Sequence, residues 1–270
     1  MASSNGVSEN LSYDRPNSAR MYDYLIGGYN NFEIDRMAAK KAIQINPDAP
    51  LVMRANRAFL RRAVGFLVSQ GITQFLDVGS GIPTAGNVHE VAQKVNPAAR
   101  VVYVDAEPVA VHHSRTMLEG NPNAKIIQAD ARQPERILDH PEVRRLLDLE
   151  KPTAVLLFCL LHFVPDDEEA VRAVRVLRDA LVQGSYVGLS HATYEGSPPE
   201  DTEQINKLYS QTATPLRMRS YDQIEGFFEG LELVEPGLVY VPLWRPDDPG
   251  NQFLDQPARS VTYSGIGRKP

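Results

Sequence analysis

The amino-acid sequence predicts an α/β fold: a mostly parallel sheet with helices on both faces, an antiparallel C-terminal edge, and a helical segment in front. Three observations point there. From residue 74 onward, short β-branched runs alternate with longer amphipathic ones. Pro108 and Pro134 stand where helices would begin, and a first helical position loses nothing by lacking an N–H. The earlier strand-like runs are spaced for crossovers, which parallel pairing requires, whereas the last ones are close enough for hairpins.

The elements follow in order. Residues 1–12 are small and polar, as in a disordered lead. Residues 13–72 read as a helical cap or lid segment. Within it, Val52, Ala55, Phe59, Ala63 and Phe66 or Leu67 recur at helical spacing from Leu51 to Gln70, and Gly71 supplies a stop. Residues 73–270 read as one sheet domain. Its strand-like runs are Gln74–Val78, Val101–Val104, Lys125–Gln128, Thr153–Cys159 and Ser185–Ser190. Helix-like stretches begin near Ala85, Pro108, Pro134 and Asp166, the last with a capping-box pattern to Glu169. Two more helical stretches, about 200–212 and 220–229, precede short runs at 231–234, 238–241 and 260–266.

Composition narrows the function. The chain has 270 residues, 43% hydrophobic and 23% charged, the proportions of an ordinary globular protein. One Cys excludes an intramolecular disulfide and any Cys-cluster metal site. The His112-His113 pair lacks zinc-ligand spacing, so no metal is expected. Lys and Arg number 28 against 34 Asp and Glu, a net −6, which argues against a nucleic-acid partner. No apolar run approaches the about 20 residues of a membrane span. The start, MASSNGVSEN, lacks signal-peptide features, so a cytoplasmic protein is expected.

The chemistry centres on Phe75-Leu-Asp77-Val-Gly79-Ser80-Gly81, which ends a strand and precedes a helix. Glycines there let the backbone turn tightly and approach a ligand closely. Asp105 ends the second strand, where a carboxylate accepts hydrogen bonds from a ribose diol. Asp130 ends the third, where an adenine ring would lie. The dinucleotide fingerprint asks for a third glycine, but here Pro83 and Thr84 follow. Acids at three successive strand ends suit a cationic nucleoside and not a diphosphate.

In this order Asp77-Val-Gly-Ser-Gly81, Asp105 and Asp130 resemble the S-adenosylmethionine site of Rossmann-like methyltransferases. Further stretches resemble a narrower bacterial S-adenosyl methyltransferase family, long described as a domain of unknown function. These are Pro16-Asn-Ser-Ala-Arg20-Met-Tyr22-Asp-Tyr24-Leu-Ile-Gly27-Gly28, Arg54-Ala-Asn56-Arg57, Gly86-Asn87-Val-His89-Glu90, Leu161-His162-Phe-Val-Pro165-Asp166, and Ser264-Gly-Ile-Gly-Arg268-Lys. The resemblance covers about residues 13–270 and implies a seven-stranded αβα sandwich that binds S-adenosylmethionine. It implies no particular methyl acceptor. Carried over, Gly79, Ser80 and Gly81 would meet the methionine moiety, with Asp77 supporting the loop. Asp105 and Ala106 would hold the ribose, Asp130 and Ala131 the adenine, and Cys159, Leu160 and His162 would line the methyl-transfer face.

Other residues carry two readings each. Arg20, Tyr22, Gly27, Gly28 and Asn30, in a string with little helical period, form either a packed arm or a lid over the cofactor. Arg54, Asn56 and Arg57 are either solvated or direct a guanidinium at a carboxylate. His162 is either packed or a general base. His89 packs on the sheet or reaches the site, and His191, Tyr194 and Glu195 follow the fifth strand on the acceptor side. The expected function is methyl transfer from S-adenosylmethionine to a small-molecule acceptor. A non-catalytic S-adenosylmethionine-binding regulator and an NAD(P)-dependent oxidoreductase are the alternatives, and oligomeric state is open.

Overall fold

The computed structural model describes residues 14–83, 86–248 and 252–270, so the expected lead at 1–12 lies outside the described residues. The described residues begin with three helices, α1 (Ser18–Leu25), α2 (Glu33–Ile45) and α3 (Ala49–Ser69). There follow β1 (Gln74–Val78), α4 (Val88–Val95), β2 (Arg100–Asp105), α5 (Pro108–Met117), β3 (Ala124–Gln128), α6 (Pro134–Leu138) and α7 (Pro141–Leu146). The chain continues through β4 (Ala154–Phe158), α8 (Asp167–Asp179), β5 (Tyr186–Ala192), α9 (Pro199–Tyr209) and α10 (Tyr221–Glu225). It closes with β6 (Glu232–Leu233), β7 (Val239–Tyr240) and β8 (Thr262–Arg268).

The strands form one sheet in the order β3-β2-β1-β4-β5-β8-β6, with β7 also paired to β8. Strands β1 to β5 are parallel, and β8 runs antiparallel to β5 from Tyr186↔Arg268 to Ala192↔Thr262. Among the described residues the count is eight where the resemblance implies seven, because Pro236-Gly237 turns the chain between two short strands that each cover part of β8. Side chains of β1 to β5 alternate between two cores, as a pleated strand requires. Leu76, Val102, Val155, Leu157 and Leu189 face one way; Phe75, Val101, Tyr103, Leu156 and Phe158 face the other, against α3 and α4. Burial on both faces is why these strands read as continuous apolar runs.

Three elements depart from expectation. The string from Arg20 to Asn30 is helical in its first part, as α1, capped by the Asn17 side chain, which accepts from Ala19 N at 2.8 Å. Met21 and Leu25 pack against Ala38, Ala39 and Ala42 of α2. Arg20 and Asp23 are buried as well, so polar residues occupy inward positions and hide the apolar period. The stretch from Pro134 is two helices and not one, because Pro141 cannot continue α6 and instead starts α7. The helix expected near Ala85 begins at Val88, and residues 84 and 85 lie outside the described residues. No helix among the described residues is long and apolar enough to cross a membrane.

Candidate active site

Strand β1 lies between β2 and β4, so the loops after these strands leave in different directions and open a crevice. That crevice is a cleft of about 470 Å³ at the carboxyl ends of β1 to β4. Asp77, Gly79, Ser80, Gly81, Asp105, Ala106, Asp130, Ala131, Cys159, Leu160 and Tyr22 all line it. The first loop is fastened to β2: Gly79 N and Ser80 N donate to Val104 O at 2.8 and 3.1 Å. Gly79 and Gly81 have φ of +74° and +67°, a region that favours glycine. A Cβ on Gly79 would lie 2.4 Å from Leu160 Cδ1, so that glycine admits Leu160 to the loop. A Cβ on Gly81 would meet nothing within 4 Å, since that position faces open space.

The three acids have different surroundings. Asp105 accepts from Gly81 N at 2.7 Å and from Glu107 N at 2.8 Å, so it performs the loop-supporting task expected of Asp77. Burial pushes its carboxyl up to about 6, against the pull of those N–H donors. Asp77 is also buried; desolvation raises it to about 7, opposed by the Arg57 guanidinium and reinforced by Asp105. Asp130 is more open, and Arg132 grips it through Nε at 3.0 Å and Nη2 at 2.5 Å. That pairing holds Asp130 below the usual carboxylate range. Ser80 Oγ is buried on the cleft with no hydrogen-bond partner among the described residues. With the bare Gly81 position, this leaves a polar cradle for a ligand.

Beside the cleft lies a second cavity of about 300 Å³, between α1, α2, α3 and α9 and the ends of β4 and β5. Its lining includes Leu25, Val52, Met53, Phe163, Ile205 and Met218. Ser18, Tyr22, Cys159 and Phe163 border both spaces. Cys159 has φ of +52°, unusual for a residue with a side chain. It is held there by N–H donation to Ser190 O at 3.0 Å and to Ser190 Oγ at 2.9 Å. Burial pushes its thiol up to about 11. Tyr22 Oη donates to Met53 O at 3.0 Å and accepts from Asn56 Nδ2 at 3.2 Å.

His162 lines the second cavity, and its Nδ1 accepts from Ala192 N at 3.2 Å. Burial, with His191 and Arg219 nearby, drives it well below the ordinary imidazole value. It is therefore a neutral ring whose Nδ1 lone pair is taken, which removes that nitrogen as a general base.

Comparison with known proteins places this geometry. A family model described as S-adenosyl methyltransferase matches residues 4–270. The chain belongs to that family. It is an S-adenosylmethionine-dependent methyltransferase. The crystal structure of a DUF574 family protein from Streptomyces avermitilis is similar at 40% identity and a TM-score of 0.91, over 96% of this chain and 100% of that one. That of a candidate methyltransferase from Thermobifida fusca is similar at 42% and 0.89, over 98% and 99%. The N-methyltransferase NodS from Bradyrhizobium japonicum, solved with S-adenosylhomocysteine, shares the fold at 14% identity and a TM-score of 0.51, over 93% and 99%. No curated protein sequence matches significantly. Neither the oxidoreductase nor the regulator finds support in these relatives.

Several expected site residues of this methyltransferase lie elsewhere. Arg20 lines neither cavity; it is buried between Asp35 and Glu107, at 2.7 Å from each. Gly28 packs on Asp23, whose Oδ1 would lie 2.0 Å from a Cβ, and so admits that carboxylate and not a ligand. His89 is turned to the sheet, where its Nδ1 meets Tyr103 Oη at 2.7 Å. His191 is fully buried against Arg219, with Nε2 2.9 Å from Nη1. Tyr194 is 42% exposed and lines neither cavity. Residues not anticipated include Asn17 and Glu107 on the cleft, joined at 2.7 Å. The signal for Glu107 was its place two residues after Asp105; for Ile205, Tyr209 and Met218 in the second cavity the local pattern carries none.

Proposed function

We propose that the 470 Å³ cleft holds S-adenosylmethionine and that the adjoining 300 Å³ cavity holds a small-molecule methyl acceptor. One observation carries this reading: the two spaces share Ser18, Tyr22, Cys159 and Phe163, so ligands in them would meet there. Catalysis of methyl transfer rests on bringing nucleophile and methyl carbon into line and excluding water. Bound S-adenosylmethionine supplies an electrophilic methyl group on a cationic sulfur. In this reading Asp105 accepts from the ribose hydroxyls while it keeps the glycine loop closed. Asp77 adds negative charge beneath that loop, and Ala131 offers backbone at the adenine. Asp130, held by Arg132, positions the loop after β3 instead of reaching the adenine alone. The segment α1 to α3 caps both spaces, with Tyr22 at their boundary. The net charge of −6 and a cavity of only about 300 Å³ favour a small acceptor over a nucleic acid.

Calorimetry with S-adenosylmethionine and S-adenosylhomocysteine tests the first half, and binding of both is expected. A labelled-methyl screen over small-molecule pools tests the second. Transfer only to macromolecules would defeat it.

A further inference from the structure

Resting on the reading of the second cavity as the acceptor site, its chemistry narrows what enters. We propose that the acceptor is a compact, conjugated molecule with an acidic hydroxyl, methylated on that oxygen as its oxyanion while His162 Nε2–H holds one of the oxygen's lone pairs.

The donor follows from a chain of hydrogen bonds. Asp167 Oδ1 holds Arg219 Nε at 2.9 Å. Arg219 Nη1 donates to His191 Nε2 at 2.9 Å, so the proton of His191 is on Nδ1, which donates to Ala192 O at 2.7 Å. Ala192 N donates to His162 Nδ1, which leaves the proton of that neutral ring on Nε2. Nε2 has no hydrogen-bond partner among the described residues, and His162 lines the second cavity, so Nε2–H is the donor that ring has left for a molecule bound there. His162 thus offers a donor and Arg219 and His191 are its positioning residues.

Among the described residues, no strong base stands beside it. Asp48 is held by Arg259 through two contacts of 2.8 Å. Burial raises the Cys159 thiol to about 11 and the Tyr209 hydroxyl to about 12, so both stay protonated. Carboxylates as a class are too weak to deprotonate an ordinary alcohol, and Asp201 brings no other kind of group to the lining. The acceptor must therefore arrive as a nucleophile. An amine has one lone pair, and donation from Nε2–H would occupy the pair that must attack. An oxyanion has three, so one accepts from His162 while another attacks. That pair forms the bond to the methyl carbon, the carbon–sulfur bond breaks, and its electrons remain on sulfur. Anion and sulfonium become two neutral products, and no proton moves. Met53, Met218, Phe163 and Tyr209 supply soft, polarisable walls for a flat ring.

The experiment uses the full chain and para-nitrophenol, whose oxyanion is coloured. Calorimetry first establishes S-adenosylhomocysteine binding; its absence would overturn both this inference and the reading beneath it. Para-nitrophenol is then titrated into protein saturated with sinefungin, whose ammonium stands in for the sulfonium, and the bound species is read by visible absorbance. Binding as the oxyanion is expected, weakened about tenfold to a hundredfold by His162→Phe and abolished by Ile205→Trp, which fills the cavity. His162→Gln, which keeps an N–H donor, should recover most of the loss and guards against a folding defect. With S-adenosylhomocysteine bound normally, no oxyanion binding, tighter binding of para-nitroaniline, or equal affinity in His162→Phe each overturns the inference and leaves the methyltransferase reading standing.

Discussion

The two cavities meet at Tyr22, Cys159 and Phe163 but are made differently. The cleft is a product of backbone: loops after neighbouring strands, fastened by main-chain bonds such as Gly79 N to Val104 O. The cavity beside it is a product of side chains brought together from Ser18 to Thr262, across helices whose spacing depends on packing. A site set by strand topology keeps its shape when flanking side chains change, whereas one set by helix packing changes with each lining residue. One fold can therefore hold a single cofactor and vary its acceptor.

The largest expected effect tests the joint between the two regions. Arg20→Ala would leave the buried Asp35 and the partly buried Glu107 without their guanidinium, at a cost of about 3–5 kcal/mol. A thermal melt should fall on the order of 10 °C; an unchanged midpoint would show that α1 is not anchored through that pair. Gly79→Val attacks the backbone-built side alone. It places a side chain at φ +74° against Leu160, a cost of about 1–3 kcal/mol for the backbone, and calorimetry should show cofactor binding lost. Asp105→Ala is milder in structure and sharper in function. Affinity for S-adenosylmethionine should fall about tenfold to a hundredfold with a cooperative melt retained, and undiminished affinity would remove Asp105 from the site.

Acidity separates the regions further. Asp77 and Asp105 are raised to about 7 and about 6 by burial, so the folded chain binds protons there that the unfolded chain releases. The stability of the unliganded protein should rise as pH falls through these values, because ν for the native state exceeds that for the unfolded state. Affinity for the cationic cofactor should move the opposite way, falling up to about tenfold per pH unit for each carboxylate that must ionise. Parallel melts and titrations across that range would show whether the two trends diverge. Asp130→Asn should do least. Its partner Arg132 is half exposed, and such a pair is worth under about 1 kcal/mol, so a large loss of affinity would restore Asp130 as a direct ligand group.

Local pattern revealed the cleft because its makers are local: an apolar strand, two glycines, and acids where strands end. Strand bounds for β1 to β5 fell within a residue or two of the expected runs for the same reason. Arg20 misled because a buried ion pair and a lid contact use the same residue type, and only the neighbours Asp35 and Glu107 distinguish them. His191 lies within β5 and Tyr194 two residues past its end, and the first is fully buried whereas the second is turned to solvent. Ile205 and Met218 were invisible as site residues, since an apolar residue on a helix or loop looks the same whether it faces a core or a ligand.

Cys159 is the chain's single cysteine and borders both spaces. Nature has thereby installed one chemically unique attachment point at the place where methyl carbon and nucleophile would converge. Its raised thiol makes alkylation slow, slow enough to time by mass spectrometry. Shielding by each ligand, alone and in combination, would then report order of entry without any engineered label.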